Sequence, residues 1–246
     1  METQFEDEPI DPGQFPMTRW SLVLGAQEGS EDVRSRALSE LCEVYWYPLY
    51  AYLRRRGLNE SDAEDATQGF FCELLEKDRV QLFSESKGKL RAYLLSSIKN
   101  YLRDQGKRER ALKRGGGEAP LSLDLASAEE RYAYEPPEFE TPEKLFELRW
   151  ALTLMERAFE KVEEEYRRLD KLETYEALKG HLSGDGEVSF REVGERVGMT
   201  EGAARVTLHR MRKLYQKYLK EEIAETVSDE ESVDEELRHL TQVFAQ

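Results

Sequence analysis

Apolar residues recur every three or four positions through most of the chain, a spacing that places them on one face of an α-helix. Segments with this pattern cover about residues 31–56, 61–77, 89–112, 142–166 and 169–182. Pro48 falls inside the first segment, where proline is expected to kink or divide the helix. Ser61 and Glu64 are expected to form a capping box that opens the second segment. No segment shows the alternation of apolar and polar residues that is typical of a strand. The sequence therefore predicts an all-α fold.

The helical pattern is interrupted once, at residues 115–140. This segment holds three glycines, several prolines and many acidic residues, a composition typical of a linker. Thr141 then caps the next helix, with Pro142 at its first position. We therefore predict two small helical domains, at residues 19–114 and 141–221, joined by a flexible acidic linker.

Acidic segments flank the two predicted domains. Residues 1–18 form an N-terminal extension, and residues 222–246 form a tail in which one short amphipathic helix is expected, with Val233, Leu237, Leu240 and Phe244 on its apolar face. Either the tail folds back on basic surface by imitating DNA phosphates, or its charge simply keeps the protein in solution. Both interpretations remain open from the sequence.

The net charge of -15 conceals two basic segments. Residues 99–114 carry seven Lys and Arg against two acids, and residues 200–220 carry six against one. Clustered cations in an acidic chain are typical of a nucleic-acid footprint. The alternative is that each cluster is only the solvated face of a helix.

The second basic segment has the layout of a helix-turn-helix. A capping box at Ser189 and Glu192 begins a short helix, Gly198 and Met199 form a turn, and Thr200 caps a longer helix. The inward residues of that helix are predicted to be Ala204, Leu208, Met211 and Tyr215. The predicted DNA-binding residues are Thr200, Glu201, Gly202, Arg205, Val206, His209, Arg210, Arg212, Lys213 and Lys217. A helical bundle without DNA binding is the alternative.

Other classes of function find little support in the sequence. No phosphate loop, catalytic triad or set of metal ligands is present, so we expect neither an enzyme nor a cofactor. No apolar run reaches the length of a membrane span, and the N-terminus lacks the order of a signal peptide. Cys42 and Cys72 are each expected to be buried, reduced thiols. A cytosolic, monomeric protein is the resulting expectation.

Three segments together resemble the extracytoplasmic-function sigma factors of bacterial RNA polymerase. They are "SDAEDATQGFFCELLEK", similar to the polymerase-binding helix, "GKLRAYLLSSIKNYLRDQGKRERALKR", similar to the helix that reads the minus-ten element, and "VSFREVGERVGMTEGAARVTLHRMRKLYQKYL", similar to the domain that reads the minus-thirty-five element. They occur in the family's order with a linker between them. The resemblance implies a sigma region 2 bundle at 19–114 and a sigma region 4 helix-turn-helix at 141–221. The long N-terminal helix, "KRGGG" and the Asp of "SLD" resemble planctomycete-like members, whereas the extended N-terminus departs from the family pattern.

The resemblance also implies roles for individual residues. Asp62, Asp65 and Gln68 would bind the polymerase, although acids at a helix start also stabilise its dipole. Capture of a single DNA strand requires cations beside surfaces on which bases stack. The residues implied for the minus-ten element are Lys87, Lys89, Arg91, Tyr93, Asn100, Tyr101 and Arg103. Tyr93 is equally compatible with a place in the core.

The implied partners are core bacterial RNA polymerase and promoter DNA, with an anti-sigma or other regulatory protein as a further candidate. A helix-turn-helix regulator that does not contact the polymerase is the first alternative, and it would usually bind a palindrome as a dimer. A helical adaptor protein is the second alternative, and it would show no salt-dependent binding to DNA.

Overall fold

The computed structural model describes residues 31–74, 89–111, 126–135, 141–184, 188–227 and 231–244. All regular structure in these ranges is helical, which confirms the all-α prediction. The helices are α1 (Glu31–Arg55), α2 (Glu60–Leu74), α3 (Leu90–Ala111), α4 (Ala126–Ala133), α5 (Pro142–Arg168), α6 (Leu172–Ser183), α7 (Phe190–Val197), α8 (Glu201–Ala224) and α9 (Glu231–Val243). None of the described helices is long and apolar enough to cross a membrane.

Most helix starts follow from local sequence. The hydroxyl of Thr141 accepts a hydrogen bond from the backbone N–H of Lys144 at 3.2 Å, with Pro142 at the start of α5. The predicted capping box of Ser189 and Glu192 is present, and Thr200 caps α8. These side chains satisfy backbone donors that have no partner inside the helix. The three predicted caps are confirmed.

Two predictions about helices near the N-terminus are corrected. Helix α1 is continuous through Pro48, which does not divide it. Helix α2 is capped by Asn59 instead of Ser61: the side-chain oxygen of Asn59 accepts from the backbone N–H of Asp62 at 2.9 Å, and its amide donates to the Asp62 carboxylate at 2.8 Å. Asparagine is one of the best capping residues, so the helix begins one residue before Ser61.

Helix α5 connects two apolar cores. Its N-terminal half, with Phe146 and Trp150 fully buried, packs along α1. The core there also includes residues of α2, α3, the end of α8, and α9. Its C-terminal half, including Val162, packs with α6, α7 and the first part of α8 in a second core. Residues of both predicted domains therefore share one continuous framework, while the predicted domain boundaries themselves stay a prediction.

Part of the predicted flexible linker is helical. Helix α4 lies inside residues 115–140, and Ala128 is buried in the first core. The Glu129 carboxylate pairs with Arg54 of α1 at 2.6 Å and accepts a hydrogen bond from the Tyr50 hydroxyl. The prediction of a flexible linker is wrong for residues 126–135, because these contacts attach the segment to α1.

The acidic tail is also more ordered than predicted. Residues 222–224 complete α8, and Glu222 is buried between Arg157 and Lys161 of α5. The expected amphipathic helix exists as α9, with Leu240 buried in the first core. Phe244 is exposed and does not belong to its buried face.

The two cysteines differ in environment. Cys42 of α1 is buried, and this burial raises the pKa of its thiol to about 12. Cys72 is exposed, so the expectation of two buried thiols is wrong for it. Its neighbours Phe71 and Leu74 take the inward face of α2, which leaves position 72 on the outward face.

Candidate nucleic-acid and polymerase interfaces

A helix-turn-helix is formed by α7 and α8. Helix α7 ends at Gly198, whose φ of +70° is a left-handed conformation that favours glycine. The backbone N–H of Met199 donates to the carbonyl of Gly194 at 2.8 Å. A Cβ at position 194 would lie 2.5 Å from the Met199 carbonyl oxygen, so only glycine allows this close approach. Sequence reasoning missed Gly194, although a glycine inside a short helix was a usable sign of tight packing.

The orientation of α8 agrees with the predicted pattern. Ala204, Leu208 and Met211 are buried in the second core, and Tyr215 is half-buried. All ten residues that the sequence assigned to upstream DNA lie exposed on the opposite side. Because the inward face is fixed by packing, these ten residues share one solvent-facing surface, which we call the α8 surface.

Two arginines of the α8 surface are held by local contacts. The Arg205 guanidinium donates to Glu201 at 2.8 Å and lies 4.4 Å from the ring centre of Phe190. Arg212 donates to the backbone carbonyl of His181 at 3.0 Å, and the His181 ring stacks on Phe190 at 4.5 Å. These contacts restrict the rotamers of both arginines and reduce the entropy that each would lose on binding.

The residues implied for the minus-ten element lie in different environments on α3. Lys89 and Arg91 are engaged by α9: the Glu236 carboxylate lies 2.7 Å from Lys89 Nζ and 2.7 Å from Arg91 Nε. Arg91 is buried and also pairs with Glu147 of α5. In this arrangement Arg91 cannot reach DNA. Lys87 lies outside the described residues.

A cleft of about 240 Å³ between α2 and α3 brings together three further residues of this set. Tyr93 is half-buried and Asn100 is exposed at its edge. The ring of Tyr101 is buried edge-on against Phe70 at 5.9 Å, so direct stacking of a base on it is not possible in this arrangement. Arg103 is exposed and donates to Asn100 at 2.7 Å. Ser96 and Ser97 also line the cleft and were missed by the sequence reasoning.

The candidate polymerase-binding helix is α2. Asp62 and Asp65 are exposed and Gln68 is half-buried, while Phe70 and Phe71 are buried behind them. Asp62 also takes part in the cap with Asn59. The geometry is therefore compatible with both roles of Asp62. It can stabilise the start of α2, and it can present its carboxylate to a partner protein.

Among the described residues, no group of three or more His, Cys, Asp or Glu side chains is arranged to hold a metal ion. The candidate surfaces described above consist of basic, acidic and aromatic side chains around α2, α3 and α8.

One comparison with known proteins found a similarity, in the segment that includes α2 and α3. Residues 45–111 match the family model of sigma-70 region 2. The match supports a sigma-70 family factor. The matched segment contains the C-terminal part of α1, all of α2 and all of α3, and covers about a quarter of the chain. Neither the search of curated proteins nor the search of solved structures gave a match.

Proposed function

We propose that the protein is an extracytoplasmic-function sigma factor that binds core bacterial RNA polymerase and directs it to specific promoters. The observation that carries the proposal is the order of two units in one chain. A segment that matches sigma-70 region 2 precedes a helix-turn-helix with an exposed basic surface. A planctomycete-like subgroup is proposed on the long N-terminal helix, the "KRGGG" motif and the Asp of "SLD".

In this proposal the α8 surface reads the minus-thirty-five element. Exposed side chains near the start of α8, among them Arg205 and Val206, face the base edges of the major groove. Arg210, Lys213 and Lys217 follow on later turns, where they contact phosphates and supply salt-dependent attraction. The glycine at position 202 leaves open space at the helix start, so the helix can approach DNA closely.

The region 2 segment supplies the other two activities. Asp62, Asp65 and Gln68 of α2 bind the polymerase core. The cleft beside Tyr93 and Asn100 receives an unstacked base of the minus-ten element, because it combines an aromatic ring with amide and hydroxyl hydrogen-bonding groups.

Promoter binding requires this arrangement to open. The two promoter elements are separated by about 25 base pairs, or roughly 85 Å of DNA at about 3.4 Å per pair. The α3 and α8 surfaces are joined through α5, which is itself only about 40 Å long at 1.5 Å per residue over 27 residues. We infer that the described structure is the free, monomeric factor, and that region 2 and the helix-turn-helix separate on the polymerase. An anti-sigma protein that favours the closed arrangement is a further proposed partner.

The proposal is tested by transcription with purified core polymerase. A pool of templates with randomised upstream and minus-ten elements is transcribed with and without the protein, and the transcripts are sequenced. We expect a defined pair of elements to be enriched only when the protein is present. Failure to raise transcription above the level of core polymerase alone would reject the sigma-factor role. Binding to palindromic DNA as a dimer, without polymerase, would favour the alternative of a conventional helix-turn-helix regulator.

A further inference from the structure

The C-terminal helix α9 lies across the start of α3. The carboxylate of Glu236 is fully buried there and receives hydrogen bonds from Arg91 Nε at 2.7 Å and Arg91 Nη2 at 3.1 Å. Lys89 Nζ lies 2.7 Å from the same carboxylate. One acidic side chain from the tail thus neutralises Lys89 and Arg91, two of the three described cations that the resemblance assigns to minus-ten DNA.

Further contacts hold the tail in place. The backbone N–H of Leu90 donates to the carbonyl of Thr226 at 3.1 Å, so the segment before α9 also caps α3. On α9, Leu240 and Val243 are buried, and the His239 ring lies 2.8 Å from the Glu147 carboxylate. The interface therefore combines two buried apolar side chains with ionic contacts.

The ionic contacts are arranged so that α9 can dissociate from α3 without the free-energy cost of an unpaired buried charge. Burial of a charge without a partner is strongly unfavourable. When α9 leaves, Arg91 keeps its ion pair with Glu147 of α5 and its place at 5.0 Å from the ring centre of Trp150. Lys89 and Glu236 both become accessible to water. No buried charge is left without a partner by the release.

We propose that α9 is an internal competitor of promoter DNA for the surface formed by Lys89 and Arg91. The carboxylate of Glu236 takes the place of a phosphate group of the single-stranded minus-ten element, and DNA binding displaces the helix. The inference rests on the proposed function, because that function supplies the DNA ligand. It makes Lys89 and Arg91 the partners of the acidic tail. One interpretation of the sequence had instead placed the tail on the basic helix-turn-helix.

One of the two interpretations left open by the sequence placed the acidic tail on the basic helix-turn-helix. Asp234 of the tail pairs with Lys220 near the end of α8, at 3.7 Å. The ten residues of the α8 surface stay exposed. The tail therefore leaves the upstream reading surface open and occupies region 2 instead.

The test compares four forms of the full chain: the unchanged protein, Glu236→Gln, Asp234→Asn and Leu240→Ala. Glu236→Gln and Asp234→Asn change the net charge equally, but only Glu236 contacts α3. Leu240→Ala loosens the packing of α9 without a change in charge. The probe is a fluorescent single-stranded DNA oligonucleotide of random sequence, because the proposed competition is for a phosphate group, and circular dichroism verifies that each form is folded.

We expect Glu236→Gln and Leu240→Ala to bind the oligonucleotide at least about fivefold more tightly than the unchanged protein, the lower end of typical coupling between sites. Asp234→Asn should differ little from the unchanged chain. If both cations gain phosphate contacts, the salt slope for Glu236→Gln should steepen by about 1.4, at about 0.7 for each contact to a single strand. Hydrogen exchange in residues 89–95 and 231–243 should rise in both tighter-binding variants.

Equal effects of Glu236→Gln and Asp234→Asn would show general charge repulsion and overturn the proposal. An unchanged affinity in Leu240→Ala, with increased exchange in α9, would overturn it as well, because release would then have no effect on DNA binding. Lack of binding by all four forms would also reject it. Transcription with core polymerase remains a separate measurement, so failure of this inference is distinguishable from failure of the sigma-factor role.

Discussion

At the scale of single residues, Gly194 sets the geometry of the helix-turn-helix. The expected clash of a Cβ with the Met199 carbonyl oxygen involves backbone and cannot be relieved by a rotamer change. We predict that Gly194→Ala destabilises the protein by about 1–3 kcal/mol, the usual cost of overpacking. Urea unfolding followed by circular dichroism measures this change.

Gly202→Ala is the matched control, since a Cβ at this exposed position of α8 meets nothing within 4 Å. Because alanine is favoured over glycine in helices by up to about 1 kcal/mol, this variant should be neutral or more stable. Equal stabilities of the two variants would contradict the assigned role of Gly194.

Arg205 and Lys213 are expected to contribute differently to DNA binding. If Arg205 contacts a guanine, Arg205→Ala should cost about 1–3 kcal/mol at one base position and relax the preference there. Lys213→Ala should weaken binding to all sequences alike and lower the salt slope by about one. Titration of upstream DNA variants at several salt concentrations separates the two effects. The same loss on every sequence for both variants would remove Arg205 from the base-reading set.

At the scale of elements, α2 carries the predicted polymerase contact. Reversal of charge in Asp62→Lys with Asp65→Lys should weaken binding to core polymerase at least tenfold, or about 1.4 kcal/mol. The cap itself should persist, because Asn59 still accepts from the backbone N–H of residue 62. Surface plasmon resonance with immobilised core polymerase measures the affinity, and circular dichroism the helical content.

The control for α2 is a double reversal elsewhere, Glu160→Lys with Glu173→Lys. Both acids are exposed and lie on α5 and α6, so the net charge changes by the same amount outside the predicted contact. We expect this control to bind the core nearly as well as the unchanged protein. Similar losses in both double variants would point to non-specific electrostatic attraction.

At the scale of the whole molecule, Glu236 joins the C-terminal helix to the region 2 segment. Burial alone would raise the pKa of its carboxyl, but hydrogen bonds from Arg91 and Lys89 outweigh burial and hold the pKa below the ordinary value. The charged and titratable groups near the Glu236 carboxyl are Lys89, Arg91, Glu235, Glu147 and His239. A carboxyl with a lowered pKa contributes stability that is present above its unfolded pKa and lost as pH falls through the folded pKa.

We therefore predict that the stability gap between the unchanged protein and Glu236→Gln depends on pH. Near pH 7 the variant should be less stable by about 2 kcal/mol, the magnitude of a hydrogen bond to a charged group. The gap should begin to narrow as pH falls below the ordinary carboxyl pKa of about 4.3, and it should close once pH is below the lower pKa that Glu236 has in the folded protein. Urea unfolding from pH 7 to pH 3 measures it. A gap that stays constant with pH would mean that the charge of Glu236 does not stabilise the fold.

Local sequence by itself determined the helical class, three of the helix caps and the inward face of α8. These features depend on spacing of three or four residues and on contacts within one turn, for example Ser189 with Glu192. The exposed α8 surface follows from the same periodicity. For this reason, a reader of the sequence alone could locate the helix-turn-helix and its outward side chains.

Only the tertiary structure decided which distant segments pair. Glu129 with Arg54, and Glu236 with Lys89 and Arg91, join residues about 75 to 147 positions apart, and no local pattern specifies such partners. The burial of Arg91 and Tyr101, the ordered linker helix α4 and the position of α9 on region 2 follow from these pairings. An ion pair forms wherever the fold brings opposite charges together, and sequence composition records only that the charges exist.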